Sequence, residues 1–234
     1  ILVSVCAVDS ELRTVQPIRQ ITEILKDFPN CRLHVDATQA IGKTELVMDG
    51  VDTMSIAPHK FYGLNGSGLL LKKSSVIIEP QIHGGSSTTL YRSGTQGLAL
   101  AVSIEKALQL TLTQQEERIR CVRQLNEYLK TALLHYPSVR INSPEGAVPH
   151  ILNLSVQGLK GTVFQRVLSE RGVCVSVKSA CSAEGTPSKA VFAVSGDRKN
   201  ALSSWRVSLS HLTTREELDE FLQVFDQCYK ELVP

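Results

Sequence analysis

Net charge is almost absent from this sequence: 25 lysines and arginines face 23 acidic residues, leaving +2 with the histidines neutral. That balance gives no electrostatic basis for nucleic acid or an anionic membrane as the principal partner. Long apolar runs are missing too. No stretch approaches the roughly 18 consecutive apolar residues of a membrane helix, and the start lacks the charged flank and cleavage pattern of a signal peptide, so no membrane association is expected. The six cysteines (Cys6, Cys31, Cys121, Cys174, Cys181 and Cys228) include no C-x-x-C pair and no regular spacing. This argues against a zinc site or a disulfide framework and for a reducing, cytoplasmic location. The sequons at Asn65 and Asn153 then read as chance matches. Internal repeats and low-complexity segments are absent. So is an initiating methionine, because the chain opens at Ile1 and its first methionine is Met48. The opening ILVSVCAV has the β-branched apolar character of a strand already in progress, and the chain reads as cut from something longer.

What is present suffices for a folded protein. At 42% hydrophobic content, 234 residues support one sizeable core or two modest ones, which excludes disorder, collagen-like repeats and disulfide-stapled miniproteins. The first half alternates short apolar runs with a helical pattern, the signature of βαβ units and a parallel sheet. Pro17 can open a helix in which Ile18, Ile21, Leu25 and Phe28 recur at helical spacing until Pro29 stops it. Strands are expected from Leu33 to Asp36, from Asp52 to Ile56 and, after a turn rich in glycine (Gly63, Gly66, Gly68), from Leu69 to Leu71. In open α/β sheets ligands sit outside the carboxyl ends of the strands, and Asp36 and the His59-Lys60 pair fall just past such ends. From about Leu98 to Leu134 a long helical pattern, with Ile119, Val122, Leu125, Leu129 and Leu133 on one stripe, reads as a connector between two domains. Strands at Val139 to Ile141, Ile151 to Val156 and Val173 to Val177, a helix from Thr162 to Glu170 and a final amphipathic helix then describe a small α+β domain. Thr214 and Glu217 are placed to form a capping box for that last helix.

Taken singly, the chemistry-bearing residues say little. Lys60 reads as a solvated surface charge and Asp36 as a turn or cap residue. Cys181 lies in SVKSACSAEGTP, whose small residues, Gly185 and Pro187 mark a loop. Cys6 on a strand, Cys121 and Cys228 on helices, and Cys174 in or beside a strand have ordinary core explanations, whereas a loop cysteine has none. Together the residues say more. A lysine able to form a Schiff base, a carboxylate to pair with a protonated pyridine nitrogen, and donors for a phosphate are what pyridoxal 5'-phosphate requires of a protein. Asp36, His59, Lys60 and the run Gly84-Gly85 with Arg92-Ser93-Gly94-Thr95 offer that set.

The strings HVDATQAIGK (His34 to Lys43), SIAPHKFYG (Ser55 to Gly63), HGG followed by RSGT (His83 to Thr95), SACS (Ser179 to Ser182) and SWRVSLSHLTT (Ser204 to Thr214) occur in that order. They resemble the long-loop, NifS/IscS-like cysteine desulfurases of the class V aminotransferase family, and the resemblance covers essentially the whole chain. It implies the α/β type I fold of pyridoxal-phosphate-dependent transferases, aspartate aminotransferase-like. Residues 1–113 would be the C-terminal portion of the large cofactor-binding domain, with a mostly parallel sheet that is N-terminally incomplete. Residues 114–234 would be the small α+β domain with the nucleophile loop. By the resemblance, Lys60 holds the cofactor, Asp36 faces its pyridine nitrogen, Gln39 and Ser10 lie at its phenolic oxygen, and His59 contacts its phosphate. Thr95 reaches the phosphate of the neighbouring subunit, which implies a homodimer with shared active sites. Arg206 clamps the substrate carboxylate, and Cys181 accepts the sulfur. The implied reaction converts L-cysteine to L-alanine and leaves a persulfide on Cys181 for a sulfur-acceptor protein serving iron–sulfur cluster assembly or tRNA thiolation.

Four positions depart from the family pattern. Asp9-Ser10-Glu11 stands where Asn-Asn-Glu is usual, so Ser10 offers only a shorter hydrogen bond. Ala57 replaces a phosphate-binding serine, and Ser86-Ser87-Thr88-Thr89 follows Gly85 in place of a GGGQER-like run. Lys178 replaces a glycine beside Cys181, where an ammonium would depress the thiol's pKa. The imidazole that stacks on the cofactor ring and the turn that cradles its phosphate have no counterpart in these 234 residues. Poor cofactor retention and little turnover are therefore expected of them alone. Two alternatives stay open: a class V relative with another substrate, such as a selenocysteine lyase, and a truncated, catalytically silent module for dimerisation or interaction.

Overall fold

The structure, a computed structural model, describes residues 1–85, 89–178 and 185–233. The chain divides into two compact units, one of Ile1–Ala7 with Gln16–Gln114 and one of Val8–Val15 with Gln115–Pro234.

The first unit is built on four strands in sequential order, β1 (Leu2–Cys6), β2 (Arg32–Asp36), β3 (Thr53–Ile56) and β4 (Leu69–Lys72). β1, β2 and β3 run parallel and β4 antiparallel. The crossover from β1 to β2 is α1 (Ile18–Leu25), which follows Pro17 directly and ends before Phe28. The pleat sorts the side chains of the inner strands. Leu33, Val35, Met54 and Ile56 point to the buried face, while His34, Asp36, Thr53 and Ser55 share the more open one. There His34 bridges its neighbours on β3, with Nδ1 2.9 Å from Thr53 Oγ1 and Nε2 3.3 Å from Ser55 Oγ. α2 (Leu98–Thr113) closes the unit and ties itself to the turn after β3, where Thr111 Oγ1 donates to the Phe61 carbonyl at 3.3 Å. Gly42 sits in the turn after β2 with φ +69°, and a Cβ there would collide with Thr111 Cγ2. Gly42→Ala is both strained and overpacked, so it should destabilise the chain by about 2–4 kcal/mol in chemical denaturation. An unchanged midpoint would contradict this packing.

The single long helix expected from Leu98 to Leu134 is two, α2 and α3 (Gln115–Leu133), because Gln114 leaves helical geometry at φ −109°, ψ 11°. The boundary between the units falls at that break. The second unit pairs β5 (Val139–Ile141), β6 (Ile151–Val156) and β7 (Ser204–Ser208) in an antiparallel sheet. Besides α3 it carries α4 (Gly161–Glu170), α5 (Lys189–Ser195), α6 (Arg198–Ser203) and α7 (Arg215–Leu232). α7 opens with the expected capping box of Thr214 and Glu217. Its core joins Trp205, Phe164, Phe221 and Phe225 to Leu129, Leu133, Leu152 and Leu154. Trp205 stacks on Phe164 with ring centroids 5.4 Å apart.

Three expectations need correction. The segment from Val173 to Val177 is no strand; it makes a single bridge, Ser176 to Arg206. Of the described cysteines only Cys228 is buried. Cys6 is exposed because the pleat of β1 turns Leu2, Ser4 and Cys6 outward, Cys174 lies outside regular structure, and Cys121 sits one position off the buried stripe of α3. Finally, a division at 113/114 groups Val8–Val15 with the first portion, whereas the structure groups them with the second unit. The reason is local: Val8 and Val15 bridge as a hairpin, and Leu12 at its tip is 1% exposed, packed on Val191 and Ala201.

Candidate functional site

Four of the expected site residues stand at the carboxyl edge of the parallel strands in the first unit. Asp36 ends β2, and its Oδ1 accepts the Thr38 amide at 2.9 Å, which fixes the carboxylate's orientation. Gln39 follows in a turn closed by the Ala40 and Ile41 amides on the Ala37 carbonyl, at 2.9 and 3.1 Å. After β3 the chain forms a short 3-10 helix, Pro58–Lys60, with proline at the position where its missing N–H is harmless. His59 and Lys60 are both exposed. The backbone beneath Lys60 is nonetheless pinned. Its carbonyl accepts Lys43 Nζ at 3.0 Å, and the next residue, Phe61, is 1% exposed with its amide on the Pro58 carbonyl at 2.9 Å. An amine on a fixed base, a held carboxylate and an amide at one strand edge suit the carbonyl, ring nitrogen and phenolic oxygen of pyridoxal phosphate. For the phosphate, the same edge supplies His59, while Ala57 has no hydroxyl to add.

Thr95 is exposed and lies two residues beyond the anchor of its segment. That anchor is Ser93, whose Oγ donates to the carbonyls of His83 (2.8 Å) and Ile82 (3.3 Å) and so folds the RSGT run back on HGG. Residues 86–88 and Cys181 lie outside the described residues. The ammonium of Lys178, expected to act on the Cys181 thiol, is engaged by Thr186, donating to its carbonyl at 2.8 Å and its Oγ1 at 2.9 Å.

Ser10 and Arg206 meet in the second unit. Arg206 is clamped on β7 by pairing on both sides, with Asn153 of β6 and with Ser176, whose carbonyl accepts its amide at 2.7 Å. Its Nη1 donates to the Ser10 carbonyl at 2.9 Å. Ser10 thus offers Arg206 its backbone oxygen. Nε of Arg206 is buried and has no hydrogen-bond acceptor among the described residues. Burial lowers the pKa of the guanidinium, and the charges of Glu11 and Asp9 oppose that shift.

The loop that receives Arg206 is itself braced. Asp9 Oδ1 accepts the amides of Glu11 and Leu12 at 2.8 and 2.6 Å, the buried Glu11 carboxylate accepts Ser188 Oγ at 2.5 Å, and the Glu11 carbonyl accepts Asn153 Nδ2 at 3.2 Å. Reading the sequence missed the Glu11 carboxylate, Asn153 and Ser188 as parts of this setting. Glu11 and Ser188 stand 177 positions apart, so no local pattern could have paired them. Asn153 is fully buried, which agrees with a chance sequon.

The family model for aminotransferase class-V matches residues 1–221. The chain is 36% identical over 235 residues to a NifS/IcsS protein homolog of Lactobacillus delbrueckii subsp. bulgaricus, covering 98% of this chain and 61% of that protein. It is 32% identical over 237 residues to cysteine desulfurase IscS of Dictyoglomus turgidum, covering 99% and 60%. Among solved structures it is similar to a NifS-like protein at 31% identity with a TM-score of 0.89, over 99% of this chain and 61% of that one. A NifS-like protein from Rickettsia africae matches at 26% identity and a TM-score of 0.87, over 98% and 62%. The chain spans about 60% of the length of these relatives.

Proposed function

The chain belongs to the aminotransferase class-V family and takes the type I fold of pyridoxal-phosphate enzymes, and on that premise we propose that the protein is a cysteine desulfurase. Its substrate is L-cysteine, its products are L-alanine and a persulfide on Cys181, and its cofactor is pyridoxal 5'-phosphate. The observation that carries the reading is Lys60, an exposed amine on a pinned backbone at the strand edge that also holds Asp36 and Gln39.

When bound, pyridoxal phosphate supplies a ring that withdraws electrons from the substrate's Cα. Lys60 would hold the group covalently and would serve as the base for the substrate's Cα proton. Asp36 keeps the ring nitrogen protonated. The Gln39 amide, with the Ser10 hydroxyl, serves the phenolic oxygen. His59 holds the phosphate, and Thr95 serves that of a neighbouring subunit in a homodimer with shared sites. Arg206 receives the substrate carboxylate, a task its planar fork performs and a lysine does not; its buried, unsatisfied Nε supports this role. The Cys181 thiolate then attacks the substrate sulfur. The new S–S bond forms as the Cβ–S bond breaks, and the released electron pair takes up a proton to give the methyl group of alanine. A sulfur-acceptor protein takes the persulfide onward.

No helix among the described residues is long and apolar enough to cross a membrane, and a cytoplasmic site of action suits a reaction that needs a reduced thiol. With pyridoxal phosphate and L-cysteine supplied, the protein should release alanine, and Cys181→Ala should keep the cofactor's absorption while losing turnover. Bound, coloured cofactor without any alanine release would overturn the reading.

A further inference from the structure

The sheet of the second unit has two unlike faces. Leu152, Leu154, Trp205 and Val207 point into the apolar core, and the residues that alternate with them point the other way: Asn153 and Ser155 on β6, Ser204 and Arg206 on β7. Asn153, Ser155 and Ser204 on that polar face are fully buried. A polar side chain taken out of water must find its partners within the fold, and those of Asn153 show what this layer holds in place.

Asn153 and Arg206 are direct partners in the antiparallel β6–β7 ladder, so their side chains leave the sheet side by side. They grip consecutive carbonyls of one loop. Arg206 Nη1 donates to the Ser10 carbonyl at 2.9 Å, and Asn153 Nδ2 donates to the Glu11 carbonyl at 3.2 Å. The N–H ends of the same two peptide units, those of Glu11 and Leu12, both rest on Asp9 Oδ1. The amide of Asn153 is itself oriented. Its Oδ1 accepts Asn142 Nδ2 at 3.0 Å, and Asn142 Oδ1 accepts Asn200 Nδ2 at 2.9 Å. The Asn153 backbone amide donates to Ser143 Oγ at 2.9 Å. β7 sets where the Arg206 side chain starts, but the partners at the end of its long stem set where the planar fork points. The Ser10 carbonyl is one such partner, and Asn153 fixes the carbonyl next to it.

We propose that Asn153 is a positioning residue for substrate binding: by holding the Glu11 carbonyl it keeps the Ser10 carbonyl at Arg206 Nη1, so that the guanidinium is aimed before a carboxylate arrives. The consequence for substrate rests on the reading of Arg206 as the carboxylate-binding residue. The aim of the guanidinium is measurable without cofactor or turnover.

The first test is nitrogen-15 NMR of the labelled 234-residue chain, with the Arg206 side-chain signals assigned by their loss in Arg206→Lys. In the wild type, rotation of the guanidinium about Nε–Cζ should be slow, with separate Nη signals. Asn153→Ala and Asn153→Leu, the second of which keeps the side chain's bulk, should each speed that rotation by about tenfold, the weight of one hydrogen bond. Asn142→Ala removes a neighbouring amide of the same layer and leaves the Glu11 carbonyl its donor. It should lower the melting temperature without changing the rotation. The second readout is alanine release with pyridoxal phosphate supplied: both Asn153 variants should raise KM for L-cysteine about tenfold with kcat held within a factor of about two, the pattern of lost binding rather than lost chemistry. Free rotation in the wild type, unchanged rotation in both Asn153 variants, or an equal change in Asn142→Ala would overturn the positioning role whatever the activity. Rotation altered only by the Asn153 variants with KM unmoved, or with no alanine released by the wild type, would overturn the substrate role of Arg206 and leave its aiming by Asn153 standing.

Discussion

Lys60→Ala is expected to leave the fold untouched and to lower alanine formation by about 10²–10⁴-fold, the range for loss of a positioned acid–base group. The two halves of that expectation come from different atoms of one residue. The contact that stabilises the turn is made by the Lys60 carbonyl, which accepts Lys43 Nζ, and alanine keeps that carbonyl. The amine is exposed and takes no part in the core. Its removal deletes the amine proposed to link the cofactor while leaving Phe61 seated beside Thr111. A melting temperature within a degree or two of wild type, together with loss of the cofactor's bound absorption and of turnover, is the expected pair of results. Activity surviving in Lys60→Ala would remove Lys60 from the chemistry, and with it the main support for the proposed enzyme.

Trp205→Ala is expected to destabilise the second unit by about 3–5 kcal/mol, the cost of emptying an aromatic from a packed core. Trp205 is fully buried, stacked on Phe164, and lies 6.2 and 6.5 Å by ring centroid from Phe225 and Phe221. Its Nε1 has no hydrogen-bond partner among the described residues, so the loss is one of packing rather than of polar bonding. Trp205→Phe, which retains a ring for Phe164 to stack on, should recover more than half of it. The consequence reaches function because Trp205 immediately precedes Arg206 on β7: the strand that anchors the core also aims the guanidinium. Urea unfolding followed by far-UV circular dichroism measures the effect, and a shift below about 1 kcal/mol would contradict the central place of this ring.

The parts of the site that can be read from the sequence are those set by short-range rules. Asp36 and the His59-Lys60 pair follow apolar strands that alternate with period two, so a reader who finds the strands finds the edge. Thr214 and Glu217 announce the start of α7 because a capping box is a four-residue pattern. The break at Gln114 is not legible, since the helical pattern continues across it on both sides. α5 and α6 are too short to show periodicity, although their N-caps, Ser188 and Asp197, each accept backbone amides of the first turn, and Gly196 between them adopts φ +64°. These are local signals that a closer reading could have used. The bracing of Arg206 is different in kind. Ser10 meets it across 196 positions and Glu11 meets Ser188 across 177, distances at which only the folded chain brings partners together.

The passage of the chain out of the first unit at Ala7 and back at Gln16 bears on any attempt to divide the protein. The units are joined by three peptide crossings, at 7/8, 15/16 and 114/115, so a nick at Gln114–Gln115 yields no pair of self-sufficient products. The N-terminal fragment would carry away Leu12, Glu11 and the Ser10 carbonyl, and the C-terminal fragment would keep the receiving positions Val191, Ser188 and Arg206. The second unit is in this sense a split reporter: residues 115–234 become complete only when the Val8–Val15 hairpin is supplied, whether in cis by the intact chain or in trans as a peptide.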